Sequence, residues 1–147
     1  MIGACFAPPC CTFSLAACRR VIYRTRFLPW GVSGLPPEKE ENVRHGNRLL
    51  RTALLIMKWL HQAGIAFCFE HPVSACNSFT PALQKWCDTS GCVVCVLDQC
   101  QFGQRLINMT KLLLNHVEPL DAETLCVTCK YLNNVCSSSG RPHMCLG

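Results

Sequence analysis

Residues 37–63 carry a long helical pattern that lies between two short apolar runs, and this arrangement leaves the chain few folds to choose from. Pro37 stands at a helix start, where its missing N–H costs nothing. Glu38, Glu40 and Glu41 follow it and suit the positive end of the helix dipole. At the helical period, Leu49, Leu50, Ala53, Leu54, Ile56, Met57 and Leu60 share one broad face, while Arg44, Arg48, Arg51 and Lys58 lie opposite. Gly46 weakens the first half of this helix by about 1 kcal/mol relative to alanine. Gly64 is a natural stop. The flanking runs, residues 1–7 and 65–69, read as buried strands. Strand, helix, strand is the pattern of a parallel sheet. The expected fold class is therefore α/β, with a partial Rossmann-like parallel sheet, one long amphipathic helix and a Cys-rich C-terminal tail.

The rest of the chain fits around that unit. Residues 12–37 mix arginines and aromatics with a turn-rich Pro29-Trp30-Gly31-Val32-Ser33-Gly34 stretch, which predicts a partly helical loop. Thr80 is placed to cap a short helix over residues 81–86. Residues 93–97 are β-branched and fit a buried strand that ends in Asp98-Gln99-Cys100. Residues 111–115 predict a last strand and 121–129 a short helix. Residues 136–145 read as polar loop. The division expected is an α/β portion over 1–115 and a Cys-rich segment over 116–147, with no internal repeat.

Composition narrows the function classes. The chain has 147 residues, half of them hydrophobic and 16% charged, with a net charge of +5. That describes a globular domain rather than a disordered one, and its mild basicity permits a nucleic-acid partner. No apolar run approaches the length of a membrane-spanning helix. Fourteen cysteines fit a secreted disulfide scaffold as one alternative. The apolar start ending in Leu15-Ala16-Ala17-Cys18 looks somewhat like a signal peptide. However, no Lys or Arg precedes it and Pro8-Pro9-Cys10-Cys11 interrupts it. The expectation is an intracellular protein, in cytoplasm or nucleus, whose cysteines are mostly small buried hydrophobes.

Two polar tips fall at the carboxyl ends of the first two strands. Cys10 sits on the rigid Pro8-Pro9 turn after the first, and Glu70 follows the second. Parallel strands place both on one sheet edge, where ligands of open α/β sheets bind. A thiol beside a carboxylic acid suits attack on an electron-poor pyrimidine ring.

Pro9-Cys10-Cys11-Thr12-Phe13-Ser14 resembles the Pro-Cys-Gln-x-Phe-Ser motif of the cytosine-C5 DNA methyltransferase family. Phe67-Cys68-Phe69-Glu70-His71-Pro72 resembles that family's strand and Glu-Asn-Val motif, which reads Glu-Asn-Pro in phage- and mobile-element-type relatives. Gln99-Cys100-Gln101-Phe102-Gly103 and Thr110-Lys111-Leu112-Leu113 are similar to a later Cys-x-Tyr/Phe-Gly segment and Lys-Pro-Thr segment of those relatives. The resemblance implies Cys10 as the nucleophile on cytosine C6 and Glu70 as the acid at N3. It implies Pro9, Ser14 and His71 as bracing for the Cys10 loop. Arg19, Arg20, Arg24 and Arg105 are the implied contacts to base and DNA, and S-adenosylmethionine the methyl donor. Cys11 and His71 stand where the family has Gln and Asn. The glycine-rich cofactor loop that precedes Pro-Cys in the family has no counterpart here, so the expectation is a domain inactive alone, completed by a second chain or an upstream segment.

Two Cys-x-x-Cys pairs, Cys92/Cys95 and Cys126/Cys129, raise structural zinc. Residues three apart in a strand point to opposite faces, which disfavours the first pair. The candidate ligands are Cys126, Cys129 and Cys136 with His143 or Cys145. The alternative function is thus a non-enzymatic, zinc-stabilised module that binds nucleic acid or protein.

Overall fold

The computed structural model describes residues 3–14, 21–89, 91–104, 108–130, 133 and 135–144. Its strands are β1 (Gly3–Phe6), β2 (Ala66–Pro72), β3 (Cys92–Asp98) and β4 (Met109–Asn115). Its helices are α1 (Pro37–Gln62), α2 (Pro81–Cys87) and α3 (Pro119–Leu125), with short 3₁₀ turns at Cys76–Phe79 and Gln99–Phe102. Pro begins each α-helix, and Thr80 Oγ1 accepts from Leu83 N at 3.4 Å at the start of α2.

The strands form one four-stranded sheet in the order β1-β2-β4-β3. β1 pairs parallel with β2, as expected, but β4 runs antiparallel to both β2 and β3. The sheet is therefore mixed, not parallel throughout. The physical reason is the link from Asp98 to Met109, which holds a 3₁₀ turn and is too short for a crossover helix, so the chain must return antiparallel. β4 then slots between β2 and β3. The side chain of Asn115 fastens it there: Oδ1 accepts from Phe67 N, and Nδ2 donates to Ile65 O at 3.1 Å.

β2 alternates strictly between half-buried and buried positions, so its two faces enter different cores. On one face, Phe67 and Phe69 pack with Leu113 against Leu50, Ala53 and Met57 of α1 and Leu83 of α2. On the other, Cys95, Leu97 and Leu114 pack against Ala122 of α3, with Cys68 and Leu112 at the margin. α3, although it lies in the 116–147 segment, thus belongs to the sheet's own packing. The last described stretch has no helix or strand beyond an isolated Val135–Pro142 bridge, and its buried cluster is Cys100, Cys129 and Cys136. Among the described residues, no helix is long and apolar enough to cross a membrane.

α1 buries Val43, Gly46, Leu50, Ala53 and Met57, a narrower stripe than the apolar residues suggest. Its wet face carries Arg44 between Glu40 and Glu41, at 3.7 and 3.2 Å, pairs of small value in water. Gly46 has a packing role. A Cβ there would stand 2.9 Å from Thr12 Oγ1 and 3.1 Å from an Arg24 guanidinium nitrogen. Glycine lets the turn after β1 and the Arg24 side chain close against the helix. Gly46→Ala gains about 1 kcal/mol of helix propensity but forces buried, hydrogen-bonded groups apart, an overpacking cost of about 1–3 kcal/mol. The expected result is net loss of stability, read as a lower urea midpoint; a higher midpoint overturns this account.

Candidate functional site

β1 and β2 pair with Cys5 opposite Cys68 and Phe6 opposite Phe69, so both strands finish at the same edge. Beyond β1, the chain turns tightly, with Phe13 N and Ser14 N both donating to Cys10 O at 2.9 and 2.7 Å. Phe13 is buried, and its carbonyl accepts from Cys76 N at 2.8 Å, which ties the turn to the 3₁₀ segment after β2. Pro9 lines a shallow groove with Leu49, Thr52, Ala53 and Ile56 of α1.

This architecture brings Cys10 and Glu70 together, both half-buried and near enough for the charge of Glu70 to act on the Cys10 thiol. Burial raises the Cys10 thiol above its ordinary range. A backbone hydrogen bond opposes the rise, and the charges of Glu70 and Cys11 add to it. Burial also raises the Glu70 carboxyl, offset by a hydrogen bond from Thr110. Cys68, on the same sheet face, is pushed up to about 12 by burial and by neighbouring Cys5. A carboxyl held above its normal range is the form that can donate a proton; a thiol held high is nucleophilic only once it is deprotonated.

Glu70 also forms one end of a cleft of about 410 Å³ across β2, β4 and β3, with Thr110, Leu112, Leu97, Gln99, Phe102 and Leu125 as further lining. Gln99 Nε2 donates to Thr110 Oγ1 at 2.9 Å, so amide, hydroxyl and carboxyl form a polar row in an otherwise apolar trough.

Other residues expected at the site take different places. Arg24, expected to contact base or DNA, is 1% exposed. Its Nη1 donates to Pro29 O and Asn47 Oδ1 at 2.9 and 2.7 Å, its Nη2 to Val43 O at 3.0 Å and its Nε to Thr12 O at 3.1 Å. The guanidinium lies 3.7 Å from the Phe13 ring centre. It clamps the turn at Thr12 and the segment at Pro29 to α1, because its fixed fork of donors satisfies Thr12 O and Pro29 O, carbonyls outside any helix or strand. Arg26 is exposed, between the exposed Phe27 and Phe79 rings at 5.4 and 5.6 Å. Phe79 carried no sequence signal for this role. Arg19, Arg20 and Arg105 lie outside the described residues.

His71 is buried on the face opposite Glu70, with Nδ1 at 2.9 Å from Pro72 O and 3.4 Å from Ser78 Oγ. Ser78 lies in the 3₁₀ turn Cys76–Phe79, whose Cys76 N donates to Phe13 O. Burial lowers its pKa to about 4, with the charge of Lys111 adding to the effect.

A second constellation lies at the carboxyl end of β3. The ligand-type atoms of Cys100, Cys129, Cys136 and His143 all fall within 4.8 Å of one another, and all four residues are buried. Cys129 Sγ is 4.0 Å from Cys136 Sγ and 3.8 Å from His143 Nε2. A tetrahedral ion with bonds of about 2.3 Å has ligand–ligand edges of about 3.8 Å. The cluster could hold a metal ion.

Its surroundings match that use. Ser137 N and Oγ point at Cys129 Sγ from 3.4 and 3.6 Å, and Gln101 Nε2 lies 3.8 Å from both Cys100 and Cys136 sulfurs. Such donors orient metal ligands. Hydrogen bonds from Ser139 and Ser138 pull Cys136 down to about 6, while burial and the neighbouring thiols push Cys100 up to about 12.

Cys126, expected as a ligand, is exposed and sits beside Cys95 instead. Cys100 takes its place. Cys126-x-x-Cys129 follows the end of α3, and only its second cysteine turns inward; Cys100 had no Cys-x-x-Cys spacing to mark it. Cys92 and Cys95 enter opposite cores, as strand alternation requires. Cys145 lies outside the described residues.

The loops leaving β1, β2 and β3 begin Ala7-Pro8-Pro9, Val73-Ser74-Ala75 and Gln99-Cys100-Gln101, and none is glycine-rich. The described residues therefore do not fit an S-adenosylmethionine site. Comparison with protein-family models, curated proteins and solved structures gives no match to this chain.

Proposed function

We propose that this chain is a DNA-cytosine-handling domain of cytosine-C5 methyltransferase type, in which Cys10 attacks the ring and Glu70 supplies acid assistance. The supporting observation is their convergence at the ends of adjacent parallel strands, one on a rigid Pro-Pro turn and the other at the mouth of a cleft. Cys10 Sγ bonds to C6 of cytosine as the C5–C6 double bond opens. The displaced electron pair shifts toward C4 and N3, and Glu70 gives its proton to N3. C5 of the resulting enamine then takes a proton from water. The hydroxide so formed removes the original C5 hydrogen, which regenerates the enamine. Glu70 then takes back the N3 proton as the C6–S bond breaks, the C5–C6 double bond re-forms and the thiolate leaves. The net reaction is exchange of the cytosine C5 hydrogen with water, and no cofactor takes part. Methyl transfer is not assigned to the described residues; it would need S-adenosylmethionine held by an upstream segment or a second chain, for which β1 offers the sheet's edge. Arg26 with Phe27 and Phe79 suits phosphate and unstacked bases of the DNA partner.

The test is release of tritium from DNA labelled at cytosine C5. Cys10→Ser is expected to abolish release, and Glu70→Gln to lower it by about 100- to 10,000-fold. Unchanged release in Cys10→Ser overturns the reading. The pH profile follows from the shifts. The active form has Cys10 as thiolate and Glu70 protonated. As pH rises through neutrality, gain of thiolate is offset by loss of the Glu70 proton, so the rate is flat. It falls on the acid side below a raised carboxyl pKa and on the alkaline side above a raised thiol pKa.

The ion assigned to the Cys₃His cluster is zinc, in a structural role, since four protein ligands leave no open position. The same cluster favours the second reading, a non-enzymatic zinc-stabilised module. Zinc binding without tritium release selects it.

A further inference from the structure

We propose that the ion bound by Cys100, Cys129, Cys136 and His143 sets the shape of the Glu70 cleft, so that metal occupancy controls access to that site. The inference rests on the zinc assignment above. The link is the 3₁₀ turn Gln99–Phe102, which serves both places. Cys100 points from it into the cluster, while Gln99 and Phe102 line the cleft with Glu70. Gln104, just after the turn, lines both the cleft and the small cavity beside Cys136 and His143.

Gln99 ties the start of this wall to β4, its N donating to Asn108 O at 3.2 Å and its Nε2 to Thr110 Oγ1 at 2.9 Å, and the cluster ties the rest of it to the tail. Hydrogen bonds join the tail to the end of β3 and its turn: Asp98 N donates to Val127 O at 2.9 Å, Asp98 Oδ2 accepts from Cys129 N at 2.6 Å, Gln101 Nε2 donates to Ser137 Oγ and Cys136 Sγ, and Cys136 Sγ donates to Cys100 O. Asp98 is 3% exposed, and its Oδ1 has no hydrogen-bond partner among the described residues. The buried core of the stretch is the cluster itself. A segment of this kind, without a hydrophobic core of its own, folds on its metal. The cation therefore joins the turn, through Cys100, to a tail that the ion itself orders.

The readout requires no substrate. Full-length protein is stripped with chelator, then titrated with Zn²⁺ and separately with Co²⁺, and amide hydrogen exchange is followed at residues 99–104 and 136–143. The expected result is one ion per chain, the visible bands of tetrahedral cobalt with thiolate ligands, and at least tenfold slower exchange in both segments. Cys126→Ser is expected to bind one ion and to show the same slowing as wild type. Cys100→Ser is expected to lose the slowing at 99–104. Absence of binding, full protection in Cys100→Ser, or protection at 136–143 with none at 99–104 each overturns the proposal. Tritium release is measured separately, so failure of the cytosine reading stays distinguishable from failure of this one. Failure of the zinc assignment shows as absence of bound ion; failure of the link shows as bound ion with an unchanged 99–104 segment.

Discussion

Arg24→Met is expected to destabilise the protein by about 3–5 kcal/mol, a large part of the stability of an ordinary domain. Methionine fills a similar volume, so the loss is not a cavity effect. It comes from the acceptors left behind. Thr12 O and Pro29 O are carbonyls outside any helix or strand, and Arg24 is their partner. Each orphaned buried acceptor costs about 1–3 kcal/mol. The stacking of the guanidinium on Phe13 adds about 1 kcal/mol. Burying the charge is costly in itself, and replacing a whole buried polar set with apolar groups can be neutral. Here the acceptors stay, so that relief is not available. Arg24→Lys is expected to rescue little, since one ammonium cannot reach Thr12, Pro29, Val43 and Asn47 together. Urea denaturation of the three proteins checks this, and a loss below about 1 kcal/mol for Arg24→Met contradicts the clamp.

Acid is expected to weaken the fold through His71. Its pKa is lowered from 6.5 to about 4 by burial. In the unfolded chain the imidazole takes a proton as pH falls through 6.5, while the folded protein resists until about 4. Over that window the unfolded state binds more protons, so stability rises with pH. The contribution is present in full above 6.5 and is lost as pH falls through about 4. The lowering amounts to about 3 kcal/mol. Its neighbours are Phe69 at 5.7 Å between ring centres, Ser78 and Pro72 as hydrogen-bond partners, and Lys111 of β4, whose charge acts in the same direction. His71→Gln is expected to be less stable than wild type at neutral pH and to lose less between pH 7 and pH 4. Parallel pH profiles for the two proteins contradict the assignment.

Both effects show where sequence reasoning reaches. The brace role of His71 was implied by the resemblance of Glu70-His71-Pro72 to the family motif, and strand alternation puts it on the other face from that carboxylate. What it bonds was not legible, because Ser78 meets it only after the chain reverses. Arg24 was read with Arg19, Arg20 and Arg26 as part of one basic loop. Nothing local separates the arginine that turns inward from the one that stays outside. The difference is made by Gly46, far along the chain, whose missing side chain leaves room for the guanidinium.

The local pattern determined α1, the capped α2, the strands and the shared edge of Cys10 and Glu70. Helical period, a proline start and parallel strand direction act over a few residues or follow from connectivity. Three things were decided only in the tertiary structure: the reversed β4 between β2 and β3, the inward turn of Arg24, and the replacement of Cys126 by Cys100 in the metal cluster. Each depends on which distant segments meet, and that is settled by packing two sheet faces and satisfying buried polar groups. Cys126-x-x-Cys129 is a spacing along the chain, whereas a tetrahedral ligand set is a spacing in space, and the Gln99–Phe102 turn at the end of β3 supplied the missing corner.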